Sequence, residues 1–362
     1  MEMQFQPPVA KSHRPIWIAG PCSAETEEQV MRTAEGLADA GIDLFRAGIW
    51  KPRTRPNAFE GIGREGLQWL KKVKERYGLK TAVEVANTQH VFESLKAGVD
   101  VLWIGARTTV NPFSVQEIAD ALEGVDIPVY VKNPMNPDLK LWIGSLERLY
   151  KAGIRRMGII HRGFASFGKS VYRNTPRWEI ALEMKRLYPD LQIICDSSHI
   201  CGTREFLGDI AQQALDLNYD GVMLETHIDP ANAWSDAEQQ ITPPAFKEIM
   251  NRLVVRDVNS NNREFRENLN ELRHQIDVID REILNLLSER MNVSEKIGQY
   301  KKQNNISIYQ PERWNSIIEH AVKKAEGLGL SMDFVSKFFT VVHEESINHQ
   351  AKVMNKHVPI EE

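Results

Sequence analysis

The chain is poor in cysteine, in net charge and in long apolar runs, and each shortage narrows what it can be. Only three of its 362 residues are cysteine, Cys22, Cys195 and Cys201. An odd, sparse set with no CxxC pair excludes a disulfide framework and a zinc-ribbon site; it fits reduced thiols, each free to bind a metal. A net charge of −4 and a pI near 6.2 exclude the broad basic field of a nucleic-acid binder. No apolar run approaches the roughly 20 residues that cross a bilayer, and residues 1–15 lack the charged-then-apolar pattern of a secretory signal. The expectation is a cytoplasmic protein without membrane or nucleic-acid partners.

What remains is an ordinary globular composition, 42% hydrophobic and 26% charged, in a chain long enough for one large core and a smaller second domain. Eight short apolar runs, at 16–20, 43–50, 81–86, 101–105, 128–131, 156–160, 191–195 and 221–224, alternate with amphipathic segments of helical period. Short β-rich runs alternating with helices predict parallel βαβ units. Eight of them, closed by a helix at 244–253, predict a (β/α)8 TIM barrel over residues 1–256.

Barrel chemistry sits at the C-terminal ends of the strands. The unusual residues fall there in every unit: Cys22; Arg46 with Lys51 and Arg53; Glu84; Arg107; Lys132; His161 and Arg162; His199; Glu225. The second unit is the densest, with Arg46, Lys51, Arg53 and Arg55 inside ten residues and prolines at 52 and 56 that stiffen the loop. Held cations at a strand end suggest a phosphorylated substrate, and a ring that also includes Arg107, Lys132 and Arg162 suits a phosphate and a carboxylate together. Cys22, His199, Glu225 and Asp236 add a mixed sulfur, nitrogen and oxygen set suited to one divalent transition metal, with Mn, Fe, Co and Zn all open.

Several motifs resemble the shorter, type Iβ form of 3-deoxy-D-arabino-heptulosonate 7-phosphate (DAHP) synthase. They are Ile-Ala-Gly-Pro-Cys-Ser-Ala-Glu at 18–25, Lys-Pro-Arg-Thr at 51–54, Gly-Ala-Arg-Thr at 105–108, Asp-Ser-Ser-His at 196–199, Met-Leu-Glu-Thr-His at 223–227 and Trp-Ser-Asp-Ala-Glu-Gln-Gln at 234–240. The resemblance implies metal ligation by Cys22, His199, Glu225 and Asp236. It implies phosphoenolpyruvate binding by Arg46, Lys51, Arg107, Lys132 and Arg162, erythrose 4-phosphate binding by Arg53 and Thr54, and catalytic roles for Lys51, Glu84, Lys132 and His199. The related synthase of the eight-carbon sugar acid phosphate normally carries an Asn-based motif in place of Lys-Pro-Arg-Thr, so the loop implies the four-carbon aldose phosphate.

After a polar linker at 257–264, residues 265–362 form a second domain. Leu269, Leu272, Ile276, Ile279, Ile283, Leu286 and Leu287 recur at helical spacing, and with no proline between 265 and 310 the first helix runs to about Gln303. Helices at 312–325 and 332–355 follow. One very long member cannot bury its stripe alone, so the unit is expected to dimerise. On that helix Arg290 and Lys301 point within roughly 20° of each other, while Arg273 lies about 25 Å earlier along the axis and would serve another copy.

The tail resembles the all-helical chorismate mutase of the intertwined-dimer class, through Leu-Asn-Glu-Leu-Arg at 269–273, Leu-Leu-Ser-Glu-Arg at 286–290, Lys-Ile-Gly-Gln-Tyr-Lys at 296–301, Pro-Glu-Arg at 311–313 and Glu-Glu-Ser at 344–346. The resemblance implies that Arg273 of one chain, with Arg290 and Arg313 of another, binds the carboxylates of chorismate, and that Lys301 and Gln350 donate to its ether oxygen. Gln310 and Trp314 stand where an acidic pair is common, which bears on the contacts to the substrate hydroxyl. Together the two resemblances imply a bifunctional, allosteric enzyme of the shikimate route to aromatic amino acids. The alternative is a synthase whose tail mainly senses chorismate or prephenate and dimerises. The short lead before the first strand leaves feedback to the tail.

Overall fold

The computed structural model describes residues 3–10, 12–52, 59–166, 170–257 and 260–355. The chain divides into two compact units, Met1–Val258 and Asn259–Glu362. In the first, eight parallel strands close in sequence order into a barrel: β1 (Ile16–Gly20), β2 (Leu44–Arg46), β3 (Thr81–Val85), β4 (Val101–Ile104), β5 (Val129–Lys132), β6 (Met157–His161), β7 (Gln192–Asp196) and β8 (Gly221–Glu225). All eight are buried along almost their whole length, as strands covered on both faces must be, which is why they read as apolar runs rather than alternating ones.

The expected strand at 43–50 is shorter. β2 ends at Arg46, and the chain then runs beside the segment that follows β1, where Ala24 N–H donates to the Gly48 carbonyl at 2.9 Å. A Cβ on Gly48 would lie 2.2 Å from the Cys22 carbonyl oxygen, so only glycine permits this approach. The apolar pattern continues because the segment is buried, although it is no longer a strand.

Inside the barrel Ile16, Ile18, Leu44, Ala82, Val101, Trp103, Tyr130, Ile160, Ile194 and Met223 form a packed plug. At its lower end Tyr130 Oη donates to Gln192 Oε1 at 2.5 Å, and Gln192 Nε2 donates to the Val9 carbonyl at 3.0 Å, so the amino-terminal lead covers that mouth. At the upper end Trp103 carries the site, described below. The barrel helices supply the outer layer, with amphipathic faces such as Val30, Ala34 and Leu37 packed on the strands.

The second unit has three helices, Arg263–Gln303, Pro311–Glu326 and Met332–Met354. Asn262 and Ser331 cap the first and third by accepting from the N–H of Phe265 and Phe334, and Pro311 opens the second at a position that needs no donor. The third helix packs against the other two. The first is the anomaly: Leu272, Ile276, Ile279, Ile283 and Leu286 are each 42–64% exposed, and its only buried residues are Ser294 and Gly298. Among the described residues no helix is long and apolar enough to cross a membrane.

Candidate active site

The upper mouth of the barrel gathers a buried charge cluster whose members arrive from separate strands. Arg46, 1% exposed at the end of β2, donates to Glu225 at the end of β8 and to the Cys22 carbonyl at 3.5 Å, and lies 5.0 Å over the Trp103 ring. Its Nε has no partner among the described residues. Lys132 at the end of β5 donates to Asp196 Oδ2 at 2.7 Å and stands 5.7 Å from the same ring, whose Nε1–H donates to Glu84 Oε2 at 3.0 Å. A Cβ on Gly105 would sit 2.0 Å from Glu84 Oε1, so the bare backbone there leaves room for that carboxylate. One indole thus organises two cations and an acid.

Lys51 Nζ donates to the Cys22 carbonyl at 2.9 Å and reaches Cys22 Sγ at 2.8 Å, so the first residue of the basic loop faces the site. The loop base is fixed by Lys51 N–H donating to the Glu60 carbonyl at 2.8 Å and by Trp50 stacked on His90 at 4.0 Å. Arg53 and Thr54 lie outside the described residues. Arg162, buried beyond β6, donates to Asn174 Oδ1 at 2.8 Å and makes no ion pair among the described residues. Burial, then the repulsion of Arg107 and Arg173 acting against attraction to Asp196, lowers this guanidinium to about 10. Arg107 itself is exposed on the short helix Ala106–Thr109.

Beside these cations the ligand atoms of Cys22, Glu225 and Asp236 all lie within 4.8 Å of one another. Cys22 Sγ donates to Asp236 Oδ2 at 3.2 Å, and Gln240 Oε1 and Gln239 Nε2 fasten Cys22 N–H and Glu225 Oε2 at 2.9 and 2.6 Å. Asp236 holds a left-handed backbone, φ +47°, and Arg173 donates to its Oδ1 at 2.9 Å. Strain of that kind persists only where surroundings enforce it. The Glu25 carboxylate does part of the enforcing, accepting from Trp234 N–H at 2.8 Å.

His199 stands next to this trio rather than within it. It sits on a helical turn, Ser197–Cys201, capped by Asp196, and its Nδ1 is 2.9 Å from Asp196 Oδ2 and 3.9 Å from Glu225 Oε1. Burial pushes its pKa down, against the pull of Asp196 and Glu225, so a neutral imidazole is favoured. Burial, then Glu225, pushes the Cys22 thiol up to about 12. Burial raises Glu225, but His199, Arg46 and Lys51 prevail and hold it at about 2. A thiol, two carboxylates and a nearby neutral imidazole fit a divalent transition metal, which would also stabilise the thiolate.

Several members of this network are not evident from sequence. Asp196, shared by Lys132 and His199, belongs to the Asp-Ser-Ser-His motif and is legible as a strand-end acid. Gln239 belongs to the motif at 234–240, whereas Arg173 and Asn174 lie in a loop and carry no local signal.

In the helical unit Arg290 donates to Ser346 Oγ and to the Val342 carbonyl at 3.3 Å, while Lys301 Nζ donates to the Ile308 carbonyl at 2.6 Å. Gln350, 7% exposed on the face of Ser346, has a buried Oε1 without a partner among the described residues. Arg273 is exposed on the long helix, and Arg313 is exposed and lines a groove of about 660 Å³ with Ile317, Ala321, Leu328 and Phe339. One chain therefore presents Arg290, Lys301 and Gln350 on its inter-helix surface and turns Arg273 outward.

A closed (β/α)8 barrel with buried cations and mixed metal-type donors at its C-terminal mouth defines an enzyme of small anionic substrates. Comparison with known proteins resolves the class: the chain belongs to the DAHP synthetase I family, whose model matches residues 8–257, and residues 272–351 match chorismate mutase type II. It carries both domains, one from a transferase family and one from an isomerase family. A phospho-2-dehydro-3-deoxyheptonate aldolase of Thermotoga maritima is 30% identical over 65% of this chain and 68% of its own length. A 2-dehydro-3-deoxyphosphooctonate aldolase of Wolinella succinogenes is 30% identical over 66% of this chain and 98% of its own. The crystal structure of the Thermotoga maritima aldolase (DAHP synthase) aligns with TM-score 0.60 at 29% identity, covering 65% of this chain and 67% of that one.

Proposed function

We propose that the barrel condenses phosphoenolpyruvate with erythrose 4-phosphate, giving DAHP and phosphate, and that the helical unit rearranges chorismate to prephenate. The observation that carries the first reaction is Arg162, a buried guanidinium without an ion pair among the described residues, on the same mouth as Arg46, Lys51 and Lys132. A phosphate or carboxylate supplies the missing charge. Arg46, Lys51, Arg107, Lys132 and Arg162 hold phosphoenolpyruvate; Arg53 and Thr54, by resemblance, hold the aldose phosphate. Two anions that repel in water are thereby fixed side by side, and positioning of this kind contributes much of the barrier reduction.

Cys22, Glu225 and Asp236, with His199, would hold one divalent ion. When bound it supplies a Lewis acid for the aldehyde oxygen. Glu84, oriented by Trp103, lies by the reacting carbons, and Lys132 and Lys51 place positive charge where negative charge grows. The decisive experiment measures phosphoenolpyruvate consumption with erythrose 4-phosphate and with arabinose 5-phosphate, with and without chelator. Consumption only with the four-carbon sugar, lost on chelation and regained with Mn, Fe, Co or Zn, is expected; a preference for arabinose 5-phosphate would assign the barrel to the octulosonate reaction.

For the helical unit the support is two cations, Arg290 and Lys301, beside buried polar atoms that lack partners among the described residues, Gln350 Oε1 and His343 Nε2, together with an apolar stripe exposed along the helix that carries Arg273. A second copy packing on that stripe would bury it and bring its own Arg273 to the site, so the unit acts as at least a homodimer. No nucleophile is needed for a pericyclic shift, only a held conformer and donors at the breaking C–O bond, the part assigned to Lys301 and Gln350. Prephenate or chorismate bound there alters condensation by the barrel; equal inhibition of the intact chain and of a barrel without the tail would overturn this.

A further inference from the structure

Two polar atoms buried in the helical unit have no hydrogen-bond partner among the described residues, Gln350 Oε1 and His343 Nε2. Both lie on the helix Met332–Met354, seven residues apart, and therefore on one face, with Ser346 between them holding Arg290. An unpartnered buried polar atom is destabilising, so two on one face beside a cation point to a ligand that completes them. Gln350 is already assigned to the ligand's ether oxygen through its amide N–H; His343 has no assignment.

The imidazole of His343 is firmly placed. Trp314, from the helix Pro311–Glu326, stacks on it at 4.1 Å between centroids and 17° between planes, and Tyr309 stands 6.4 Å away. The charged groups acting on it are Arg290 and Lys301 from the long helix and Glu344 beside it. Burial first, then the two cations, depress its pKa below the usual 6.5 against the pull of Glu344, which favours the neutral ring, and in the tautomer protonated at Nδ1 the unpartnered Nε2 is an acceptor.

The chemistry of the surroundings decides what Nε2 meets. Arg290 and Lys301 are donors only, and satisfy the carboxylates and the ether oxygen of an anionic ligand. A ligand hydroxyl also brings a proton, which needs an acceptor. Trp314, the nearest aromatic wall, has none. We infer that His343 contacts the ligand of the helical site, its Nε2 accepting a hydrogen bond from the ring hydroxyl of the dicarboxylate held by Arg290 and Lys301. The inference rests on the chorismate reading proposed above.

The test uses the full chain and two ligands, chorismate as substrate and the analogue lacking its ring hydroxyl as competitor. His343→Phe keeps the stack on Trp314 and deletes the acceptor. It should lower kcat/KM for chorismate about tenfold while the inhibition constant of the analogue stays within about twofold, the difference being one hydrogen bond. His343→Gln, which restores an acceptor, should recover most of the loss. Equal weakening of both ligands, or of neither, overturns the contact and leaves the chorismate reading standing. A wild-type chain that neither turns over chorismate nor binds it or prephenate overturns that reading and this inference with it. If His343→Phe does not fold, His343→Leu deletes the same acceptor with less volume, and the same discrimination between ligands is required of it.

Discussion

The barrel and the helical unit bury charge in opposite ways. In the barrel nearly every charged side chain at the mouth has found an opposite or a hydrogen-bonding partner from another strand or loop: Arg46 with Glu225, Lys132 with Asp196, Arg173 with Asp236. In the helical unit the cations lean on carbonyls and a hydroxyl, and buried acceptors go without. The barrel mouth is assembled by eight strands of one chain; the helical site has one wall and an exposed apolar stripe beside it. The contrast teaches that a closed sheet preorganises a site by itself, whereas a three-helix unit leaves an apolar stripe and an arginine turned outward, which the proposed second copy would complete.

The most severe way to separate the two is to remove a donor of the proposed metal site. Cys22→Ala should cut condensation on the order of a hundredfold or more while chorismate turnover stays unchanged. Loss of both activities in a folded protein would show that the sites are not independent. Measuring both reactions on one preparation decides it.

Next is the stripe. Ile279→Glu, with the same change at Ile283, places charge where the proposed second copy should pack; at about 1.5–3 kcal/mol for each buried aliphatic side chain, the double change should dissociate the proposed dimer. Sedimentation should then report a smaller assembly, with mutase activity falling in step while condensation persists. A dissociated helical unit that still turns over chorismate would mean that one chain suffices.

A smaller effect concerns acid stability of the metal-free barrel. Glu225 is held at about 2 against an unfolded carboxyl near 4.5, so it stabilises the fold above pH 4.5 or so and loses this as pH falls toward 2. The shift corresponds to a contribution on the order of 3 kcal/mol. In denaturant titrations the gap between wild type and Glu225→Gln should shrink steadily between those limits; a gap independent of pH would remove the attraction of His199, Arg46 and Lys51 as its cause. The helical unit, with no buried carboxylate among its described residues, should show no matching change.

Much of this is legible in the sequence. The eight-unit alternation, the strand-end positions of Cys22, Arg46, Lys132, Arg162 and Glu225, and the helix through Gln303 follow from period and punctuation, because those depend on neighbours in sequence. The shortened β2 is not legible: an apolar, buried segment reads as strand whether or not it keeps its ladder, and Gly48's close approach to Cys22 depends on a contact between the segments that follow β1 and β2. Arg173, which steadies Asp236 from 63 residues away, is invisible for the same reason.

By itself, then, the sequence determined the order of the elements and the chemical types brought to each strand end and helix face. Which of them meet was decided only by tertiary structure. Asp196 bridges Lys132 and His199, Trp103 sits under two cations, and His343 is stacked on Trp314 with its nitrogen unpaired. Periodicity states which way a side chain points from its own element; barrel closure and helix packing set what lies opposite, and those distances are fixed by contacts between residues far apart in the chain.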